Sequence, residues 1–291
     1  MPSLNSQWLQ SLLDPFFMMK SAIYHYVRIL ILEIFEGNVP LSAAQWQKIR
    51  DSAFSFFWLQ YSGEREKGKK IAPSKNTPSA SAALIPQLLS QATGTVLEIG
   101  PGSGTCMQFL QGSQITQIYG AEPCIGLHRQ LRSEASRYKM QDRYHVLNAS
   151  ANVGSLTHEL IRKEEITSFE AGDTLFDTII CVRVLCSVPD PKETVSGLYG
   201  LLRPGGQMLI CEHVSNPWRT SKGSIISRIF QGLYMLLGWA YFMGDCRLDQ
   251  DTERILLGTA DEDKGWGNID LEVEEQWSLF PCLHGSLTKK R

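Results

Sequence analysis

Apolar positions follow two rhythms along this chain, and the change between them falls near residue 80. Phe16, Met19, Ile23, Tyr26, Val27, Leu30 and Ile34 recur at steps of three and four, while Lys20, Ser21, His25 and Arg28 gather opposite. That spacing predicts an amphipathic helix from Phe16 to Ile34. A second helix is predicted from Ser42 to about Tyr61, with Phe54, Phe57, Trp58 and Tyr61 at i, i+3, i+4 and i+7 on one side. Residues 63–81, rich in charge, Pro and Ser, predict a loop. Beyond it, apolar β-branched runs alternate with helical ones. The predicted order is helix 82–91, strand 95–99, strand 116–121, helix 124–138, strand 143–148, strand 176–184, helix 192–202, a turn at Arg203-Pro204-Gly205-Gly206 and strand 207–214. This alternation predicts an α/β fold with a doubly wound parallel sheet. Two short strands, 269–273 and 282–288, have no helix between them and predict an antiparallel C-terminal edge hairpin. The expected organisation is an N-terminal helical appendage with linker over 1–80 and an α/β domain over 81–291.

The first strand runs into Glu98-Ile99-Gly100-Pro101-Gly102-Ser103-Gly104. Glycines at alternate positions after a strand suit a tight turn with positive φ that a ligand can approach without meeting a Cβ. A helix predicted to begin near Ser103 would add unpaired N–H groups that favour an acceptor such as a carboxylate. The spacing excludes two common alternatives. A dinucleotide fingerprint needs its third glycine at position 105, which is Thr105, and a phosphate loop needs a Gly-Lys-Ser/Thr that does not follow. In a doubly wound sheet the ligand lies across the carboxyl ends of the strands. The second strand ends in Tyr119-Gly120-Ala121-Glu122-Pro123, and a carboxylate there can accept both hydroxyls of a ribose.

Composition narrows the function classes. With 28 basic and 30 acidic residues among 291 and a net charge of −2, nothing favours nucleic acid. The basic cluster Arg65, Lys67, Lys69 and Lys70 lies in the polar linker and is expected to be a solvated loop. Seven cysteines are scattered without a C-x-x-C pair, which predicts reduced buried thiols, no metal site and no disulfide framework. No uncharged apolar run reaches the roughly 20 residues of a membrane-spanning helix. The longest, Ile229 to Gly244, has 16 residues and three glycines. With no secretory signal at the start, the expected location is intracellular and cytoplasmic. The helix from Phe16 to Ile34 admits two readings, packing on a domain or lying in the plane of a membrane surface.

The series Glu98-Ile-Gly-Pro-Gly-Ser-Gly104, Glu122, Phe176-Asp177 and Leu202-Arg203-Pro204-Gly205-Gly206 resembles, in order and spacing, the Rossmann-like class I methyltransferases that use S-adenosylmethionine (SAM). Within them, Val184-Leu185-Cys186-Ser187-Val188, Glu212-His213-Val214 and Gly244-Asp245-Cys246 are similar to the methyltransferase-like thiol methyltransferases. Those associate with endoplasmic reticulum and lipid droplets, so the resemblance implies peripheral association with the cytoplasmic face of that membrane. The long helical front looks closer to related fungal O-methyltransferases of secondary metabolism. The resemblance covers roughly residues 90–290. It implies that Glu98, Gly100, Pro101, Gly102, Ser103 and Gly104 surround the methionine part of SAM, that Glu122 and Pro123 flank its ribose, and that Cys181 and Val182 end the fourth strand beside the sulfonium. Ser150-Ala151-Asn152 falls where the family usually places an acid against the adenine amino group; here an amide stands instead.

Methyl transfer is an in-line displacement that needs alignment and exclusion of water. A thiol supplies its own nucleophile, whereas an aliphatic alcohol wants a base. His213, at the end of the fifth strand, is placed either as that base or as a histidine that orients Glu212 or a loop. His128 and His145 are expected to be structural and away from the site. Trp58 and Tyr61 belong either to a core stripe or, with Leu185, to the wall of an acceptor pocket. The run from Ser224 to Gly244, with Ile225, Ile226, Ile229, Phe230 and Leu233 among its apolar residues, is expected to pack against the N-terminal helices as a roof. The acceptor expected from this is a small hydrophobic molecule, methylated at a hydroxyl oxygen, with thiol sulfur as the alternative.

Overall fold

The computed structural model describes residues 4–66, 80–261 and 265–291. In chain order its elements are α1 (Leu4–Phe35), α2 (Ala43–Glu66), α3 (Ala80–Leu89), β1 (Gly94–Ile99), β2 (Ile115–Ala121), α4 (Ile125–Arg137), β3 (Tyr144–Leu147), α5 (Val153–Arg162), β4 (Phe176–Val182), α6 (Pro191–Leu201), β5 (Leu202–His213), α7 (Ile225–Leu236), α8 (Trp239–Phe242), α9 (Thr252–Gly258), β6 (Asn268–Glu274) and β7 (Cys282–Thr288). They form two compact units. The helical unit takes residues 1–77, 215–249 and 276–280; the sheet unit takes 78–214, 250–275 and 281–291. Residues 215–249 and 276–280 join the helical unit, so the two units are not successive along the chain. Of the linker, residues 63–66 continue α2; 67–79, with Lys67, Lys69 and Lys70, lie outside the described residues.

In the sheet unit seven strands run in the order β3-β2-β1-β4-β5-β7-β6. The first five are parallel, and β7 pairs antiparallel with both β5 and β6. The expected doubly wound sheet and C-terminal hairpin are both present. Successive side chains on a strand face opposite sides, so the apolar runs of β1, β4 and β5 feed two cores. Leu97, Ile179, Met208 and Ile210 lie in one; Val96, Ile180 and Leu209 lie in the other with Leu88 and Leu89 of α3. Helix starts are set by side-chain caps. Asn152, Asp190 and Asp251 each accept the N–H three residues on, and Pro191 follows its cap where a missing N–H costs nothing.

One expected element is absent. The helix predicted from Ser103 is reduced to a single turn at Met107–Phe109. Gly104 adopts φ +83°, which a right-handed helix cannot contain, and β2 begins at Ile115, leaving no length for recovery.

In the helical unit α1 and α2 pack through Leu12, Met19 and Ala22 on one and Ile49, Ala53 and Phe57 on the other, all buried. His25 Nε2 and Gln60 Oε1 lie 2.8 Å apart, and the Arg50 guanidinium donates to both oxygens of Asp245 at 2.8 and 2.7 Å. The aromatic stripe of α2 is a real ladder: Phe54 stacks on Trp58, and Phe57 on Tyr61. The run from Ser224 to Gly244 meets the N-terminal helices as expected, through Tyr234 on Leu12 O and Tyr241 on Tyr26, but the facing of α7 differs. Its buried residues are Ser227, Gln231 and Tyr234, whereas Ile225, Ile226, Ile229, Leu233, Leu236 and Leu237 are exposed. The apolar face expected to pack inward points out, because polar anchors hold the other face. Ser227 Oγ donates to Trp277 O at 2.8 Å, Gln231 Nε2 to Leu279 O at 2.9 Å, and Tyr234 Oη to Leu12 O at 2.8 Å.

Candidate functional site

The carboxyl ends of β1 and β2 build the centre of the site. Gly100 and Gly102 adopt φ +59° and +61°, a region in which any L side chain is strained. At Gly100 a Cβ would also lie 2.5 Å from Val184 Cγ2, so the bend and the loop after β4 meet where no side chain fits. The bend is tied to β2 by Gly100 N donating to Ala121 O at 2.9 Å. It is tied more strongly by Glu122, whose Oε2 accepts Gly102 N–H at 2.9 Å and whose Oε1 accepts Cys124 N–H at 2.8 Å. Glu122 is buried. Burial raises its carboxyl above the ordinary value, and the two amides oppose the shift. Each carboxylate oxygen then holds one N–H and keeps acceptor capacity for another donor.

Glu98, two residues before Gly100, faces a different partner. Tyr144 Oη on β3 donates to Glu98 Oε2 at 2.6 Å within the sheet. Burial pushes the Glu98 carboxyl up to about 7, with the Tyr144 hydrogen bond opposing and the charge of Glu122 adding. A Cβ at Gly120 would strike the Tyr144 hydroxyl, so that glycine in β2 makes room for the contact. Tyr144 escaped the sequence reading; the signal was an acid and a glycine on neighbouring apolar strands.

The loop after β4 carries the second device. Arg183 adopts φ +57°, an uncommon conformation for a non-glycine residue that surroundings must enforce. Glu212 of β5 enforces it. Its Oε1 accepts Val184 N–H at 2.8 Å and Leu185 N–H at 3.0 Å, while Arg183 N donates to Cys211 O at 3.0 Å. Glu212 has no solvent exposure, and burial pushes its carboxyl up to about 8, those amides opposing.

The remaining sequence candidates divide. Ser103 and Gly104 are buried in the bend, Pro101 is half-buried, and Pro123 is exposed beside Glu122. Asn152 Oδ1 accepts Ser155 N–H at 3.3 Å as the cap of α5, and Ser150 N donates to Ser155 Oγ at 3.1 Å. The amide expected near adenine therefore starts with one acceptor position engaged. Ala151 is buried in the sheet core, as are Cys181 and Leu185, while Val182 packs against the opposite core; Cys181 and Leu185 have no solvent exposure. Trp58 and Tyr61 lie on α2 of the helical unit. His213 is half-buried at the end of β5, and one of its ring nitrogens lies within 4.8 Å of Cys186 Sγ. His128 corrects an expectation: buried on α4, its Nε2 lies 2.7 Å from Glu122 O, inside the site's framework. His145 is structural, between Gln117 at 2.8 Å and Glu165 at 2.7 Å. All seven cysteines are free thiols.

A parallel sheet of this order, with a glycine bend on β1 clasped by an acid from β2, defines the class I methyltransferase architecture. The family model described as a methyltransferase domain matches residues 74–248, and the chain belongs to that family, whose cofactor is SAM. It is 26% identical over 160 residues to thiol S-methyltransferase TMT1B of Rattus norvegicus, covering 54% of this chain and 56% of the relative. It is 32% identical over 151 residues to the ubiquinone biosynthesis O-methyltransferase of Aromatoleum aromaticum, covering 51% of each. The chain thus spans little more than half the length of these relatives. The solved structure of a proposed O-methyltransferase from Nostoc punctiforme superposes with a TM-score of 0.53 at 13% identity, over 96% of this chain and 71% of that one. That likeness speaks for the fold alone.

Proposed function

We propose that this chain transfers a methyl group from SAM to a hydroxyl oxygen of a small hydrophobic molecule. The observation that carries the reading is the Glu122 carboxylate, buried yet short of its acceptor limit, locked onto the Gly102 amide. A vicinal diol supplies the two further donors such a carboxylate accepts. Glu122 with Gly100–Gly104 would hold the cofactor, whose sulfonium carbon supplies the methyl group and a good leaving group. The protein's part is alignment and exclusion of water. As the new C–O bond forms and the C–S bond breaks, the acceptor's proton must leave, and His213 at the end of β5 is the group proposed to take it. Oxygen as the acceptor atom is supported by the likeness to the Aromatoleum O-methyltransferase. Sulfur is the second reading, favoured by the likeness to the rat thiol S-methyltransferase; an ionised thiolate would dispense with His213.

The deciding experiment incubates the full chain with SAM and parallel panels of phenols, aliphatic alcohols and alkyl thiols, following S-adenosylhomocysteine release and the methylated product by mass spectrometry. Methyl ethers support the reading, and thioethers alone replace it with the second. Cofactor binding without turnover across all panels would make the chain a non-catalytic binding protein of this fold.

A further inference from the structure

Helix α7 is built inside out. A helix on a water-soluble protein turns its apolar stripe to the core and its polar stripe to solvent. Here Ser227 and Gln231 have no exposure, whereas Ile225, Ile229 and Leu236 are exposed to 59, 62 and 84% of their surface. The inner face is not loosely held. Gln231 Oε1 accepts Asn216 N–H at 2.9 Å, and Asn216 Nδ2 in turn donates to Gln276 O and Ser278 O at 2.7 and 2.8 Å. This network fixes the orientation, so the six outward aliphatic residues from Ile225 to Leu237 are a stable feature of the unit. A contiguous apolar face of this kind marks an interaction surface.

Charge identifies the occupant. Residues 215–244 contain no Asp or Glu; of their three basic residues Arg228 donates to Oε1 of the buried Gln231 at 3.3 Å, and Arg219 and Lys222 stand just ahead of α7. Just before α7, Trp218 is partly exposed, and the Arg219 guanidinium lies 4.8 Å from the centre of its ring. Aliphatic residues on one face, basic residues beside them and an amphipathic aromatic at the end suit the boundary between acyl chains and anionic headgroups. A second copy docking face to face would oppose Arg219 and Lys222 from each molecule with no acid from this segment to offset them. We infer that α7 is an in-plane docking helix for a lipid bilayer surface carrying anionic headgroups. The inference does not depend on which atom the enzyme methylates.

The test is co-sedimentation of the full chain with phosphatidylcholine vesicles, with and without phosphatidylserine. The chain should bind the mixed vesicles and favour them over phosphatidylcholine alone. Combined Ile229→Ser, Leu233→Ser and Leu236→Ser should weaken binding by about tenfold or more with the melting temperature unchanged, since all three side chains are exposed. Arg219→Glu with Lys222→Glu should remove the preference for anionic vesicles, by about fivefold per charge at low salt. Trp218 emission, taken as the difference from Trp218→Phe, should shift to the blue on vesicle addition and serves as a readout that needs no change to α7. Vesicle binding by the triple variant equal to that of the unaltered chain would overturn the inference. So would absence of binding by the unaltered chain, or a dimer in solution that the triple substitution dissociates.

Discussion

Glu122 and Glu212 are the same device used on two parallel strands of one sheet, and their difference separates a place for a ligand from a place for the fold. Each is a buried glutamate at or just beyond the carboxyl end of a strand, each accepts two backbone N–H groups, and burial raises each carboxyl. Glu122 spreads its donors over both oxygens and lies beside a bend free of side chains. Glu212 shares Val184 N–H between both oxygens and takes Leu185 N–H on one of them, has no exposure, and pins a loop whose Arg183 is in a left-handed conformation. A carboxylate with acceptor capacity beside a glycine bend can recognise; one sealed in the core can only position.

The largest effect that would break this comparison is at the bend. Gly102→Val places a β-branched side chain at φ +61° and should abolish SAM binding in calorimetry while the sheet still folds. Next, His213→Ala should lower turnover of aliphatic alcohols by about 100-fold, with the loss shrinking for acidic phenols that ionise unaided. Turnover by pre-steady-state kinetics that is unchanged for both classes would remove His213 from the chemistry. Glu122→Ala should weaken SAM by about 1.5–3 kcal/mol, the value of charged hydrogen bonds lost, whereas Glu212→Gln should leave SAM affinity within about threefold. Equal losses at the two glutamates would erase the distinction drawn between them.

The smallest effect is on pH dependence, and its sign follows from burial. The unfolded chain releases the Glu98 and Glu212 protons near 4.5, but the native chain holds them to about 7 and about 8. Across that interval the native state binds more protons, so stability falls as pH rises from about 4.5 to 8. Glu212→Gln should flatten its part of the decline, read as melting temperature against pH.

Much of this was legible from residue patterns, for identifiable reasons. The alternation of strand and helix, the β6–β7 hairpin and the glycine bend all rest on local periodicity and on spacing within one βαβ unit. Glu122 follows from the rule that ligands lie at strand ends. What escaped is non-local. Tyr144 reaches Glu98 across 46 positions and Glu212 reaches Val184 across 28, pairings no window on the chain reveals. His128 looked remote on its helix, yet the first turn of α4 returns it to Glu122 O. In α7 the apolar residues are so dense that periodicity cannot choose a face, and Trp277 O and Leu279 O, some 50 residues on, make the choice.

Strand β7, which follows the other described strands in chain order, is an interior member of the sheet, bonded along both of its edges to β5 and β6. The ribosome must therefore release residues 282–288 before this sheet can close, and until then β5 presents an open ladder to neighbouring molecules. A frameshift or trimming that removed residues 282–288 would strand β6 without a neighbour and leave that ladder permanently bare, an invitation to aggregate.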